Sequence, residues 1–166
     1  MRRNLARALT TIMTLGIMGM IFFFSMEPAE SSDATSGVIA EAVADILRPA
    51  WRNDPPEARK LFYDQVQHVI RKCAHFTEFL MLGLSLRLCL ESWAGPGRKL
   101  TPPSWACGTG WACLDELHQL AVDGRSGQWT DVMIDSAGVL FGVLAGLGFL
   151  TLYDRRRRMR KKDAEQ

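Results

Sequence analysis

The sequence predicts an all-α fold: an integral membrane four-helix bundle with both termini cytoplasmic and an extracytoplasmic loop that contains amphipathic helices. Three observations support this class. Hydrophobic residues make up 48% of the chain and are gathered into blocks long enough to cross a bilayer. Arg and Lys cluster at both ends of the chain and in one turn, and such clusters stay on the cytoplasmic side. Acidic and histidine residues gather at the opposite helix ends, which are predicted to lie outside. Residues 1–166 are predicted to form a single membrane domain.

The first membrane helix is predicted over residues 5–24, a block of about 20 mostly apolar residues. Its basic flank, with Arg2, Arg3 and Arg7, places the N-terminus in the cytoplasm. A cleaved signal peptide is the alternative, with a shorter apolar core and a small-residue cleavage site after it. Because the block is longer and residues 25–28 offer no clear cleavage site, a retained anchor is favoured.

Residues 27–70 are predicted to form an outside loop whose two amphipathic helices rest on the outer leaflet. The first helix has apolar residues at helical spacing: Val38, Ile39, Ala42, Val43, Ile46 and Leu47. Pro49 ends this helix. For the second helix, Asp54 is predicted to be the N-cap, with Pro55 in the first turn and Glu57 in the capping-box position.

The second membrane helix, residues 73–90, continues from that amphipathic helix. Polar side chains fall on one of its faces at about 100° per residue: Arg71, His75, Glu78 and Ser85. Lys72 lies beside this face at the membrane edge. Arg87, near the other end, is predicted to extend to the cytoplasmic interface, where the turn of residues 95–99 is basic.

The third and fourth membrane helices are predicted over residues 104–122 and 130–153, joined by an outer hairpin. Gly138, Gly142 and Gly146 follow one another at four-residue steps in the fourth helix. Small residues at this spacing let helices approach closely, either within the bundle or between protomers. The tail, residues 154–166, is basic and is predicted to be cytoplasmic.

Ionisable and polar side chains from three membrane segments are therefore predicted to converge near the outer side of the membrane. The set comprises Arg71, Lys72, His75, Glu78, Asp115, Glu116, His118, Gln119, Arg125, Asp131 and Asp135. One interpretation is helix packing through pairs such as Glu78 with Arg71 and Asp131 with Arg125, because polar groups in a membrane must find partners. The other is a functional pocket, because ionisable residues inside a membrane are costly to keep.

Two kinds of chemistry suit such a pocket. The candidate acid–base or orienting groups are His75, Glu78, Asp115 and Glu116. The candidate substrate-binding groups are Arg71, Lys72, His118, Gln119, Arg125, Asp131 and Asp135, and the three cations suit an anionic lipid head group. A metal is not favoured, because the chain has no His-Glu-x-x-His motif and its cysteines lack paired spacing. No cofactor is predicted, and a net charge of +2 gives no argument for nucleic-acid binding.

These motifs resemble those of the VanZ-like family of small bacterial membrane proteins. The matching residues are 71–79 followed by Leu82-Gly83, then 115–119, then Gly124-Arg125 followed by 131–132 and 135–138. The resemblance implies a four-helix membrane protein. The family takes its name from a member linked to resistance to teicoplanin, a glycopeptide antibiotic that targets cell-wall precursors outside the membrane.

The pocket and the resemblance together predict an envelope protein that lowers susceptibility to glycopeptide-type antibiotics. Its outward pocket would bind or modify an anionic lipid or a lipid-linked cell-wall component. The alternative is a non-enzymatic membrane partner or shielding protein whose polar residues serve helix packing. A proton-coupled transporter is less well supported, because the chain shows no inverted repeat or broken-helix pair. The predicted partner in every case is the lipid bilayer, while catalysis and oligomeric state stay open.

Overall fold

The computed structural model describes residues 2–27, 29–122, 124, 125 and 127–164. Within these residues the chain is helical, with a 3-10 turn before the third and the fourth helix and no strand. The helices are α1 (Arg2–Ser25), α2 (Ala29–Leu47), α3 (Pro56–Ala94), α4 (Thr101–Gln119) and α5 (Trp129–Ala164). The predicted all-α class is therefore confirmed.

Three of the described helices, α1, α3 and α5, are long and apolar enough to cross a membrane. Large apolar side chains on their outer faces are exposed, as expected of a surface that faces lipid; Ile12 and Phe149 are examples. The fourth helix predicted to cross, α4, is not in this group. Its last turns carry Asp115, Glu116 and His118, which lower its mean hydropathy.

Helices α1 and α4 run in one direction, and α3 and α5 run in the opposite one. The start of α1 contacts the end of α3, where Arg7 Nε donates to Ser92 O at 3.2 Å. At the other end of the molecule, Ser25 Oγ of α1 donates to Asp115 Oδ2 near the end of α4 at 2.8 Å. We call these two ends the Arg7 end and the Asp115 end.

The apolar core between these helices takes side chains from α1, α3, α4 and α5. Its buried members are Ile21, Phe79, Leu82, Ala112, Val139 and Val143. Lipid tails are as apolar as these side chains, so helix association in a membrane depends on close packing more than on the hydrophobic effect. This core therefore stabilises the association of the helices mainly through close packing.

Glycines let α3 and α5 come close together. A Cβ added at Gly142 would lie 2.0 Å from Leu80 O, and one added at Gly83 would lie 2.1 Å from Val139 O. Gly138 likewise faces the backbone of α3. The glycine stripe predicted from the sequence thus packs within the chain, against α3, where a side chain of any size would push the backbones apart.

Helix α2 folds back on the first part of α3 and forms a second, smaller core. Its buried members are Ala40, Ala44, Trp51 and Val66. Most of the apolar stripe predicted for α2 faces elsewhere, since Val38, Ile39, Ile46 and Leu47 are exposed. The two alanines make the contact because their small side chains let the helices approach, which leaves the large residues on the outer surface.

The start of α3 differs from the predicted capping pattern. Its N-cap is Pro55, with no side-chain hydrogen bond to the cap. Asp54 instead pairs with Arg48 at 3.0 Å, so its carboxylate is held away from the helix start. From Pro56 the helix continues for 39 residues to Gly95, whose φ of +88° lies in the left-handed region that glycine adopts without strain.

Arg87 reaches the basic turn of residues 95–99 but is buried there and not exposed to solvent. Its side chain is 1% exposed and pairs with Glu91 at 2.6 Å. It also donates to Gly97 O at 3.1 Å. Because a carboxylate one helical turn away balances the guanidinium charge, Arg87 can stay between the helices, which is how charged groups are kept inside a membrane.

Two predicted boundaries also change. Helix α4 ends at Gln119, and residues 120–122 form a turn instead of its last helical residues. Helix α5 continues through the basic tail to Ala164, beyond the predicted end at Tyr153. Arg and Lys are good helix formers, so the charges that end an apolar segment need not end its helix.

Candidate functional site

The candidate site lies at the Asp115 end, and the middle of α3 supplies the largest share of it. His68, Arg71, His75 and Glu78 follow one another at steps of three or four residues, which places them along one side of the helix, and Lys72 lies beside them. All five line cavities at this end. The helical period of the sequence is therefore what brings these side chains together.

A polar cavity of about 140 Å³ opens beside this side of α3. Its wall is formed by His68, Arg71, Lys72, His75, Gln119, Gly124, Arg125, Gln128 and Asp131. Three of these side chains are permanent cations and one is a carboxylate, so the lining favours an anion. Sites for drug-sized molecules measure about 300–1,000 Å³, so this volume suits a head group rather than a whole molecule of that size.

An ion pair holds one wall of the polar cavity. Lys72 Nζ contacts Asp131 Oδ1, and both side chains are mostly buried. Asp131 therefore pairs with the lysine on the facing helix and not with Arg125, the partner suggested by the packing interpretation. The contact joins α3 to the start of α5, so it holds one wall of the polar cavity.

Arg125 connects the segment between α4 and α5 to the end of α1. Its Nε donates to Glu27 O at 3.0 Å and its Nη2 to Phe24 O at 3.4 Å. Phe24 O belongs to the last turn of α1 and Glu27 follows the helix, so neither carbonyl accepts a hydrogen bond from within α1. Arg125 therefore fixes the connection and also lines the polar cavity, while Asp123 and Ser126 of the predicted hairpin lie outside the described residues.

A second cavity of about 250 Å³ adjoins the polar one on the side of α1 and α2. Its wall is formed by Phe24, Glu27, Ser36, Ile39, Ile70, Arg71, Ala74, His75, Glu78 and Arg125. Arg71, His75 and Arg125 line both cavities, so they stand at the boundary between them. We call this second space the apolar cavity, because most of its accessible surface is apolar, with Phe24, Ile39, Ile70 and Ala74 in the wall.

Asp115 lies beneath the cavities and not on their walls. Its side chain is 2% exposed and accepts from Ser25 Oγ at 2.8 Å and from Gln119 Nε2 at 3.0 Å. Its other oxygen, Oδ1, has no hydrogen-bond partner among the described residues. Because Gln119 lines the polar cavity, Asp115 positions a cavity residue and at the same time joins α4 to α1.

Glu116 and Asp135 line a third space, of about 10 Å³, between α3, α4 and α5. A cavity of this size holds one water molecule at most. Glu116 Oε1 accepts from the backbone N–H of Gln128, which fixes the segment before α5. The two acids thus support the cavity from behind and do not line the polar cavity.

His118 is the predicted binding residue that the structure places apart from the others. Its ring stacks on Phe22 of α1, with the centroids 4.2 Å apart and the planes 25° apart. It does not line the polar or the apolar cavity. His118 precedes Gln119 by one residue, about 100° around the helix, so the two side chains leave α4 in different directions.

Sequence reasoning missed several residues of the site, among them His68, Gln128 and Ser25. His68 lines the polar cavity two helical turns before His75, so the spacing already placed it on the same side. Gln128 and Ser25 also belong to the site, one lining the cavity and one holding Asp115. No helical pattern links these two to α3, so the local sequence carried no signal for them.

The described residues contain no group of three or more His, Cys, Asp or Glu side chains that could hold a metal ion. The four cysteines, all free, are Cys73, Cys89, Cys107 and Cys113. The chemistry that the two cavities can offer is therefore that of arginine, lysine, histidine, carboxylate and amide side chains.

Comparison with known proteins places these features in a family. The model of the VanZ/LLP1 family matches residues 10–151, a range that includes every residue lining the polar and apolar cavities. The chain has no match among curated proteins or among solved structures. Because the family match covers most of the chain, in agreement with the motifs of α3, α4 and α5, the protein belongs to the VanZ/LLP1 family.

Proposed function

We propose that the chain crosses the membrane four times, with α4 as the additional crossing and both termini in the cytoplasm. The alternating helix directions support this, because α4 returns from the Arg7 end to the Asp115 end. Trp105, Leu114 and Leu117 of α4 are exposed, as a lipid-facing surface requires. The basic turn and tail lie at the Arg7 end, which the positive-inside rule places in the cytoplasm.

The Asp115 end then faces outward, and its function is to bind or modify an anionic, lipid-linked component of the cell envelope. The observation that carries this proposal is the meeting of Arg71, Lys72 and Arg125 on one small polar cavity. Arginine suits phosphate because its planar group donates two parallel hydrogen bonds. Binding of such a component would lower susceptibility to glycopeptide antibiotics of the teicoplanin type, as the family resemblance implies.

The remaining polar residues divide into those that line a cavity and those that lie behind its wall. His75 lines both cavities and Glu78 lines the apolar one, so these two are the candidates to give or take a proton at a bound head group. Asp115 and Glu116 act through their hydrogen bonds and hold the groups that line the cavity. Whether a bond is made or broken depends on the first pair.

The test is resistance of a susceptible host that expresses single variants. Arg71→Gln, His75→Gln, Glu78→Gln and Arg125→Gln should each reduce teicoplanin resistance while the amount of protein in the membrane stays the same. Arg59→Gln is the matched control, because Arg59 is an exposed arginine of α3 that lies outside the polar and apolar cavities. If all four variants keep resistance, the proposal is wrong.

A non-enzymatic membrane partner or shielding protein is the second candidate function. It is favoured by the number of acids already bonded between elements: Asp115 to Ser25, Glu116 to Gln128 and Asp131 to Lys72. Melting of the purified protein separates the two functions. A bound ligand at 100 times its Kd stabilises a protein by about 2.7 kcal/mol, so a polyprenyl phosphate should raise the Tm if the cavity binds it. No shift with any lipid, together with a stable complex with another membrane protein, favours the partner.

A further inference from the structure

The polar and apolar cavities adjoin, and their walls differ in chemistry. Arg71, His75 and Arg125 line both, so a group bound by the two arginines also touches the apolar side. From this arrangement we infer that the ligand is an anionic lipid with a single hydrocarbon chain. Its head group occupies the polar cavity and its chain occupies the apolar one. This inference rests on the proposed function and adds the class of lipid and the position of its chain.

The exposed side chains indicate how the chain of the lipid enters. Phe24 of α1, Ile39 of α2 and Ala74 of α3 line the apolar cavity and are also exposed. The cavity therefore opens sideways between these three helices, as well as toward the polar cavity. A lipid can enter through such an opening without leaving the membrane, and its head group then moves toward Arg71 and Arg125.

The volumes indicate one chain. The apolar cavity measures about 250 Å³, a little below the roughly 300–1,000 Å³ of sites for drug-sized molecules. This space holds the first part of a single hydrocarbon chain. The head-group side, about 140 Å³, has room for a phosphate. A phospholipid with two acyl chains beside one glycerol would have to leave its second chain outside.

Ile39 is the side chain that should set chain selectivity, because it is the part of the apolar wall that α2 supplies from its exposed surface. A larger side chain here fills the space for the chain of the lipid and leaves the cations in place. Val38 provides the matched control. It is the neighbouring residue on α2, it is 78% exposed, and it does not line the cavity.

The experiment measures binding of phosphates with increasing chain length to the full chain in nanodiscs of phosphatidylcholine. The probes are inorganic phosphate, dimethylallyl phosphate, farnesyl phosphate and phosphatidic acid. In the wild type, farnesyl phosphate should bind at least about tenfold more tightly than dimethylallyl phosphate, the gain expected from burying roughly two further methylene groups. Ile39→Trp should remove most of this preference and keep dimethylallyl phosphate binding, whereas Val38→Trp should keep the preference.

The comparison of the two tryptophan variants also removes the effect of partitioning, since both proteins meet the same concentration of farnesyl phosphate in the same bilayer. Ala74→Phe fills the cavity from α3 and should act like Ile39→Trp, so the test does not depend on one variant folding. A preference that survives both cavity variants overturns the chain position, and phosphatidic acid binding as tightly as farnesyl phosphate overturns the single chain. If no phosphate binds the wild type, the proposed function itself fails.

Discussion

Replacing Gly142 by alanine should separate α3 from α5 at their closest contact. The added Cβ would lie 2.0 Å from Leu80 O and 2.7 Å from Leu84 N, and neither backbone atom can rotate away. Real Cβ atoms essentially never come within 3.0 Å of such atoms, so the helices must move apart by about 1 Å. Overpacking of this kind typically costs about 1–3 kcal/mol. We expect the upper part of this range, because the shift also loosens the neighbouring glycine contacts.

The assay is thermal unfolding in detergent, followed with a thiol-reactive dye, since all four cysteines are free. A loss of 1–3 kcal/mol corresponds to a fall in Tm of roughly 2–12 °C for a chain of this size. Gly148→Ala is the control, because it lies on the same helix and a Cβ there meets nothing within 4 Å. Both variants gain the same helix propensity. If they unfold at the same temperature, the close approach of α3 and α5 is refuted.

Three further predictions concern single contacts. Arg87→Met leaves Glu91 charged and without its partner between the helices, so it should lower the free energy of unfolding by about 3–5 kcal/mol in the same melting assay. Adding Glu91→Met should restore part of this stability. An unchanged Tm in the single variant would contradict the ion pair. Ser25→Ala removes one of two hydrogen bonds to the buried carboxylate of α4 and should cost about 1.5–3 kcal/mol, with a Tm equal to the wild type as the opposing result. The Arg52 guanidinium holds the pKa of Asp45 below its ordinary value of 3.8, so this contact stabilises α2 fully above that pH and the effect is lost as the pH falls through the lowered pKa. Limited proteolysis of α2 should therefore be faster in Asp45→Asn than in the wild type at pH 7 and equally fast in strong acid; equal rates at pH 7 would contradict the contact.

The parts of the fold that depend on local pattern could be predicted from the sequence. The membrane segments and the polar side of α3 follow from hydropathy and helical period, which is why Arg71 and His75 were placed together. The glycine stripe was recognised for the same reason, although the sequence did not tell which helix it packs against. Periodicity gives the face of a helix, and only the tertiary structure gives its neighbour.

The contacts that were not predicted depend on partners far along the chain or on the balance between neighbours. Ser25 and Asp115 lie 90 residues apart, and no local rule joins them. The ion pair of Arg87 with Glu91 was not predicted, because hydropathy treats each residue alone and takes no account of a charge one helical turn away. The contact of α2 with α3 through Ala40 and Ala44 was not predicted either, because the sequence pattern indicated only the apolar stripe expected to lie on the outer leaflet.

The unbroken length of α3 sets how far the protein reaches. At 1.5 Å per residue, its 39 residues measure about 58 Å, whereas the hydrocarbon part of a bilayer is about 30 Å thick. Nearly half of this rod therefore stands clear of the hydrocarbon once the other half is embedded. Helix α2 packs along this part of α3 through the core that contains Trp51 and Val66. The two helices therefore form a rigid unit. In the proposed orientation, this unit of α2 and the first half of α3 lies at the outer face of the membrane, beside the two cavities.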